Sequence, residues 1–508
     1  MESGQAIKNI RSSIILQIAT ALSGFILPHF FIKYYGSAIN GMVSSITQFL
    51  SYLALVEAGI SASAIVELYK PLDEGNEEER NYVLSATKKF YLQSGIIYVS
   101  LLVVLLFSYP LLIEGQTDRI TTVLMILVLA GSNIIDYFVL GKYRVLLSAD
   151  QRLYVLNNIQ SIGTVLNVVF SIVLMLLNQS VILVKFVATF IYACRTIFVV
   201  KYVDRNYRNI SFTVATLKTA LPQRWNALFH QIVGVICNNT DIILITVCLG
   251  SRSLVEASVY YVFSLATNMF TSLANSLSNA ITPTFGRLMV SEHKENFESA
   301  FDTFEFLYFI LFFSIYSCVF ALLLPFVSVY TASVNDANYI RPTLALLFAT
   351  MGLVQNIRIP SLSVICAAGH YKQTQWRAFA EAAINLSVSI VLIFRLGIAG
   401  AVIGTICSYT YRSFDSIIYI RRFFDHQILG RTFSRLLRNG AVLVGVVDLI
   451  DRNMGMINSW MDFFLKGFLL FLITGSLFIL ANYLFEPKKI KVHFAYIVQR
   501  IQRKGRME

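Results

Sequence analysis

The 508-residue sequence predicts an all-α polytopic membrane protein, on three observations. Hydrophobic residues make up 56% of the chain and charged residues only 14%, where a soluble domain carries about a quarter charged. The apolar residues gather in runs of about 20, the length that takes a helix across about 30 Å of hydrocarbon. These runs are continuous and do not alternate in ten-residue units, which argues against a membrane barrel. Helices then remain as the way to satisfy the backbone in lipid.

Fourteen stretches meet the description: 12–32, 40–65, 90–113, 120–141, 154–177, 181–200, 226–249, 255–283, 304–331, 343–367, 374–394, 398–420, 436–451 and 462–485. Each is bounded by charge or turn residues. The first follows MESGQAIKNIR and runs through Pro28 and His29 without a small-residue cleavage site, so it reads as a retained helix and not a signal peptide. The second follows the connection KYYGSAIN, which contains no carboxylate. The thirteenth is the weakest, being short and ending on Asp448.

Lysine and arginine placement sets the expected orientation, because cytoplasmic connections collect them. Five of the 41 fall within spans, namely Arg195, Arg358, Arg377, Arg412 and Lys466. Most of the others lie in connections on the side of the amino terminus. Both termini are therefore expected in the cytosol. A net charge of +12 concentrated at membrane boundaries suits topology and anionic lipid better than nucleic acid, so no nucleic-acid partner is expected. The tail from Lys488, KKIKVHFAYIVQRIQRKGR, reads as a basic amphipathic stretch lying on the inner leaflet.

Several chemistries find no motif. There is no Gly-x-x-x-x-Gly-Lys-Ser/Thr phosphate cradle, no His-Glu-x-x-His and no Gly-x-Ser-x-Gly. The six cysteines, all within predicted spans, show no pairing or metal spacing and read as small interior residues. Connections on the expected outer side are about ten residues or fewer, too short for the long outer loop of a membrane glycosyltransferase or polymerase. The chain is therefore expected not to be an enzyme and to hold no metal.

An internal repeat organises the chain. NVVFSIVLML from Asn167 matches NLSVSIVLIF from Asn385 at an offset of 218. Arg144, in YRVLLSADQ, and Arg358, in IRIPSLSVICAAGH, then fall in corresponding elements if the second copy carries a few extra residues. The expected architecture is two pseudo-symmetric six-helix bundles, 1–208 and 209–430, two additional helices in 431–487, and a basic tail in 488–508.

Polar residues recur on one face of four spans. His230, Gly234, Asn238 and Asp241 share a face of the seventh. Ser13, Gln17, Thr20 and Gly24 repeat the spacing on the first. Ser44, Gln48 and Ser51 mark the second, and Asn268, Ser272, Asn275 and Asn279 the eighth. If these stripes converge, Gln17, Asn238 and Asn275 line an aqueous cavity between the bundles. An ionised aspartate at a helix centre costs about 2.5–3.5 kcal/mol on insertion scales, so Asp241 needs a reason to be there. Glu57, Asp136, Arg195, Arg358, Arg377 and Glu381 are further charges within spans. Arg377 and Glu381, at i and i+4, read equally as a register-fixing ion pair.

The strings LVEAGISASAIVELYKPLDEG (Leu55 to Gly75), NNTDIILI (Asn238 to Ile245), CAAGHYKQTQWRAFAEAAINLSVS (Cys366 to Ser389) and GIAGAVIGTICSYTYRS (Gly397 to Ser413) resemble the bacterial polysaccharide exporters. These are the O-antigen and teichoic-acid flippases of the multidrug/oligosaccharidyl-lipid/polysaccharide flippase superfamily. The resemblance implies two lobes with alternating access in the cytoplasmic membrane. The implied cargo is a polyprenyl-pyrophosphate-linked glycan, with glycosyltransferases or a polymerase of the same pathway as partners. It implies coupling to a proton or sodium gradient, mapped onto Asp241 and Glu57, with Glu381 as a further acid. It implies a cationic headgroup site mapped onto Arg144, Arg358 and Arg377. The middles of the first, second, seventh and eighth spans lack arginine, unlike the most cationic members, which leaves Lys33, Arg11 and Arg287 at helix ends as alternatives. A multidrug or cation antiporter of the same superfamily and an integral enzyme of envelope glycan synthesis are the other readings.

Overall fold

In a computed structural model, which describes residues 2–207, 209–214, 224–290, 294–424, 427–453, 455, 457–487 and 489, every regular element is helical. In chain order these are α1 (Glu2–Leu53), α2 (Ile60–Asp73), α3 (Glu77–Leu112), α4 (Arg119–Ile135), α5 (Gly141–Ala149), α6 (Leu153–Leu176), α7 (Val181–Asn206) and α8 (Arg224–Cys248). They continue with α9 (Ser253–Val290), α10 (Lys294–Tyr330), α11 (Pro342–Ile357), α12 (Ile359–Ala367), α13 (Tyr371–Leu396), α14 (Ile398–Tyr419), α15 (Gln427–Asn453) and α16 (Trp460–Phe485). The chain is an all-α polytopic membrane protein: among the described residues nine helical segments are long and apolar enough to cross a bilayer. Their outer faces, such as Ile96, Val104 and Phe107 on α3 or Phe464, Leu465 and Phe468 on α16, are bare of protein, as lipid-facing surfaces are. The amphipathic tail expected from Lys488 lies outside the described residues but for Lys489.

Each of the fourteen sequence-predicted spans coincides with helix, but four differ in continuity, among them the tenth, which is interrupted at Arg358 between α11 and α12. The first and second are one helix, α1, bent at Gly36 (φ 81°, ψ 170°), so the expected KYYGSAIN connection shrinks to one non-helical residue. Only glycine adopts that φ without strain, and a Cβ there would come within 2.9 Å of the Asp336 carboxylate. The same carboxylate accepts the Ser37 N–H and hydroxyl, both at 2.6 Å, which places a negative charge where helix restarts. The second span then breaks at a 3-10 turn over Ala54–Glu57 and a left-handed Gly59 (φ 83°) before α2. The fourth is longer than expected: α4 continues through a π turn over Asp136–Leu140 into α5.

The chain divides into two compact units. Unit 1 comprises residues 1–265, 333–337 and 393–401, and unit 2 comprises 266–332, 338–392 and 402–508. In unit 1, α1 packs along α6 and α8, and α7 along α4 and α6. Its core gathers Met42, Ile46, Tyr91, Tyr98, Tyr109, Met125 and Leu146. Backbones approach closely where α1 crosses the start of α9: a Cβ on Gly41 would lie 1.7 Å from the Leu254 carbonyl oxygen, and Asn40 beside it donates to the Ser258 hydroxyl at 2.7 Å.

In unit 2, α10 is the central element, packed on α11, α15 and α16. One aromatic cluster joins Phe285, Phe297, Phe301 and Phe424. The two C-terminal helices are held to α10 by Arg435, only 1% exposed, whose guanidinium reaches Glu305 and Asp302 at 2.8 Å and Glu486 at 2.7 Å. Thr432 adds a hydrogen bond to Glu305 at 2.7 Å, and Lys489 pairs with Asp302. A buried guanidinium is tolerated when its donors are spent on carboxylates in this way.

Candidate functional site

Breaks in the helices decide where the interior charges sit. In unit 1, Glu57 stands on the 3-10 turn that ends the bent α1, and Asp136 opens the π turn between α4 and α5. Arg144, on α5, binds both: its guanidinium is 2.8 Å from Asp136 and 3.5 Å from Glu57. Turns of this kind leave backbone groups and side chains off the regular helical register, which is why they recur at functional positions. Arg144 also lines a cavity of about 150 Å³ together with Ser148, Asn157, Gln160, Tyr192 and Arg195. Arg195, on α7, sits over the Tyr192 ring, its guanidinium carbon 3.7 Å from the centroid. Among the described residues no carboxylate pairs with it.

Unit 2 carries a denser network. Glu381 on α13, 5% exposed, pairs with Arg358 at the α11–α12 junction and lies 3.5 Å from Arg412 on α14. Asp415, one turn beyond Arg412, accepts from it at 3.1 Å and also pairs with Arg377. Three guanidiniums and two carboxylates thus alternate across three elements, with Arg358 also over the Tyr409 ring at 4.8 Å. The pairing expected within α13 does not form. Arg377 turns to Asp415, and Glu381 turns to Arg358 and Arg412, because cross-helix partners offer two guanidiniums where the i, i+4 neighbour offers one.

The internal repeat sets these two clusters side by side in register. Gly141 and Ile359, the first residues of α5 and α12, are 218 residues apart, as are Leu153 and Tyr371, the first residues of α6 and α13. From the start of α12 to Asn385 the second copy therefore has no extra residues, and Arg358 matches Leu140, one turn before Arg144. After α6 the offset becomes 217, since Val181 and Ile398 open α7 and α14. Tyr192 and Arg195 then match Tyr409 and Arg412, a Tyr-x-x-Arg step in both copies. Gly163 matches Glu381, and Phe198 matches Asp415.

The remaining expected site residues fall elsewhere. Asp241 is 5% exposed and accepts the Tyr260 hydroxyl at 2.6 Å; it is buried between α8 and α9 and does not stand on an open stripe. Gln17 on α1 and Asn275 on α9 are exposed. Lys33 is exposed, its ammonium 5.8 Å from the Tyr34 ring centroid, and Arg11 and Arg287 are exposed at helix ends. The side chains of Asn238 and His230 lie outside the described residues. Arg412 and Asp415 were not expected as site residues, although a charge pair at i, i+3 within an apolar run was a signal for them.

No family model and no curated protein matches the chain. Solved structures do. A lipid II flippase, MurJ, in an inward closed conformation superposes with a TM-score of 0.67 at 15% identity, covering 94% of this chain and 100% of that one. A multidrug-resistance MATE transporter of the MOP superfamily, inward-facing, gives 0.62 at 13% identity, covering 84% and 99%. A MOP-superfamily transporter from Pyrococcus furiosus, with a binding pocket of reversed polarity, gives 0.57 at 13% identity, covering 82% and 95%. The chain has the fold of the MOP-superfamily transporters.

Proposed function

We propose that this chain is a flippase that turns a polyprenyl-pyrophosphate-linked oligosaccharide, a precursor of cell-envelope polysaccharide or teichoic acid, from the inner to the outer leaflet of a bacterial cytoplasmic membrane. The observation that carries the reading is a set of guanidiniums placed within the membrane-crossing helices. Arg144, Arg195, Arg358 and Arg377 lie within candidate spans, and Arg412 lies on α14. Guanidinium suits phosphate because its planar fork binds two oxygens at once. Two phosphates and several sugars do not cross about 30 Å of hydrocarbon unaided; a polar path open to lipid removes that barrier while the tail stays in the bilayer. The similarity to a lipid II flippase over nearly the full length of both chains supports the same reading.

In this reading the polar stripes carrying Gln17, Asn238 and Asn275 line the path, and the two units alternate in access. Lys33, just before the bend of α1 at Gly36, is an exposed cation for the headgroup. Asp241, hydrogen-bonded by Tyr260, and the arginine-bound acids Glu57 and Glu381 serve coupling to a proton or sodium gradient. Both termini are cytosolic, and the enzymes that build and consume the glycan are the natural partners.

A second reading, a multidrug or cation antiporter, is favoured by Asp241 itself, since a buried acid beside Asn239 and Thr240 suits a cationic cargo, and by the similarity to MATE transporters. Reconstitution separates the two. Proteoliposomes carrying a fluorescent polyprenyl-pyrophosphate oligosaccharide should move it to the opposite leaflet on an imposed gradient, and Asp241→Asn should abolish the gradient-driven part while leaving the protein folded. Uptake of small organic cations with no movement of the lipid would overturn the flippase reading. Full gradient-driven flipping by Asp241→Asn would remove the coupling role.

A further inference from the structure

The repeat leaves one arginine with half of its counterpart's surroundings. In unit 2, Arg412 is bracketed by Glu381 and Asp415. At the matching step in unit 1, Arg195 faces Gly163 and Phe198, neither of which carries charge. A Cβ on Gly163 would touch the Arg195 Cδ at 3.4 Å, so the missing carboxylate's place is directly beside that side chain. Arg195 also lines the cavity of about 150 Å³, where a single water needs roughly 10–15 Å³.

We propose that this cavity, between α5, α6 and α7, binds the phosphate of a phosphate-bearing ligand, whose oxygens supply the negative charge that Glu381 supplies in unit 2. Arg195 is the principal ligand. Its guanidinium carbon stands 3.7 Å from the Tyr192 ring centroid, a contact that holds the side chain at the cavity wall, where its donors are placed to bind an oxyanion. Arg144 lines the same cavity with part of its donor set engaged by Asp136 and Glu57. Gln160 and Ser148 supply neutral donors at the wall. A guanidinium within a helical bundle has a cost that a paired anion offsets; unit 2 encodes that anion in its sequence, and unit 1 takes it from a ligand. The proposal deepens the flippase reading and rests on it only for what the phosphate is attached to.

The test uses the full chain at equilibrium, without an ion gradient. Two probes separate the sources of phosphate: inorganic pyrophosphate added to protein in phosphatidylcholine nanodiscs, and a polyprenyl phosphate built into such nanodiscs. Binding is read by ligand-induced thermal stabilisation and native mass spectrometry. Arg195→Gln should weaken binding by about tenfold or more, the loss of a charge-assisted contact. Gly163→Glu should weaken it as much while melting no lower than the wild type, because the new carboxylate pairs with Arg195. Binding of pyrophosphate would assign the site to the free anion, and binding of the lipid alone would assign it to a headgroup. Binding of neither probe, or wild-type affinity in a folded Gly163→Glu protein, would overturn the proposal; should that variant not fold, Arg195→Gln decides. Because no transport is measured, a wild type that binds phosphate but flips nothing fails the flippase reading alone, and one that flips but does not bind fails this proposal alone.

Discussion

The α6–α7 pair of unit 1 and the α13–α14 pair of unit 2 are two solutions for one stretch of repeated sequence. Both place a Tyr-x-x-Arg step on the second helix. In unit 2 the helices meet backbone to backbone: a Cβ on Gly404 would lie 2.6 Å from the Ser389 nitrogen and 2.8 Å from its Cα. The matching residues in unit 1 are Val187 and Ser171, so a branched side chain stands where unit 2 has glycine. Unit 2 is therefore tight and charge-paired, whereas unit 1 keeps a cavity with an arginine on its wall. A duplicated bundle can thus hold one copy as a fixed structural element and leave the other able to exchange partners.

The largest expected effect would break this comparison if it failed. Glu381→Ala removes a buried acid that engages two guanidiniums, and breaking a buried pair costs about 3–5 kcal/mol. Arg195→Gln abandons no carboxylate and should cost about 1 kcal/mol or less. Thermal unfolding of the two purified variants, scored against wild type, measures both. Equal losses would mean that Arg195 is as structural as its counterpart and that the two units do not differ in kind.

Close packing gives the next step down. Gly404→Ala should destabilise by about 1–3 kcal/mol, since the added methyl meets backbone, which cannot swing aside. Val187→Ala in unit 1 should cost about 1 kcal/mol, the price of a few lost contacts at a half-buried site. A Gly404→Ala protein as stable as wild type would show that α13 and α14 separate freely, and the contrast at this crossing would lose its support.

Much of this contrast was present in the sequence, but unevenly. Helix number and class follow from apolar runs because lipid leaves the backbone few alternatives. The repeat was readable through Asn167 and Asn385, and it brought Arg144 and Arg358 within one turn of each other in the register, without matching them. What periodicity does not carry is the direction in which a charged side chain turns. Arg377 and Glu381 share a helical face, yet each finds a stronger partner on another element. Asp241 shares a face with Asn238 but ends beneath Tyr260. The breaks at Gly36, Glu57 and Asp136 were hidden for the same reason: a hydropathy window averages over them, while the turn depends on a single φ or on a carboxylate that arrives from elsewhere, as Asp336 does. Gly163 was invisible as a site residue because its role lies in what it lacks, which only the register with Glu381 brings out.

The smallest expected effect sharpens the comparison through acid. Glu486, just past α16, is partly buried, which disfavours its charge, but Arg435, Arg438 and Lys489 outweigh that and hold its carboxyl at about 2 against an ordinary 4.5. A depressed folded pKa gives stability that is present in full above the unfolded value and drains away as pH falls from about 4.5 toward 2. The α15–α16 attachment in unit 2 should therefore loosen first on acidification, with hydrogen exchange rising in α15 and the last turn of α16 while α6 and α7 keep their protection. Glu486→Gln should bring part of that loosening to neutral pH and flatten the acid response. Uniform loss of protection in both units over the same pH range would show that the charge lock is not what distinguishes unit 2.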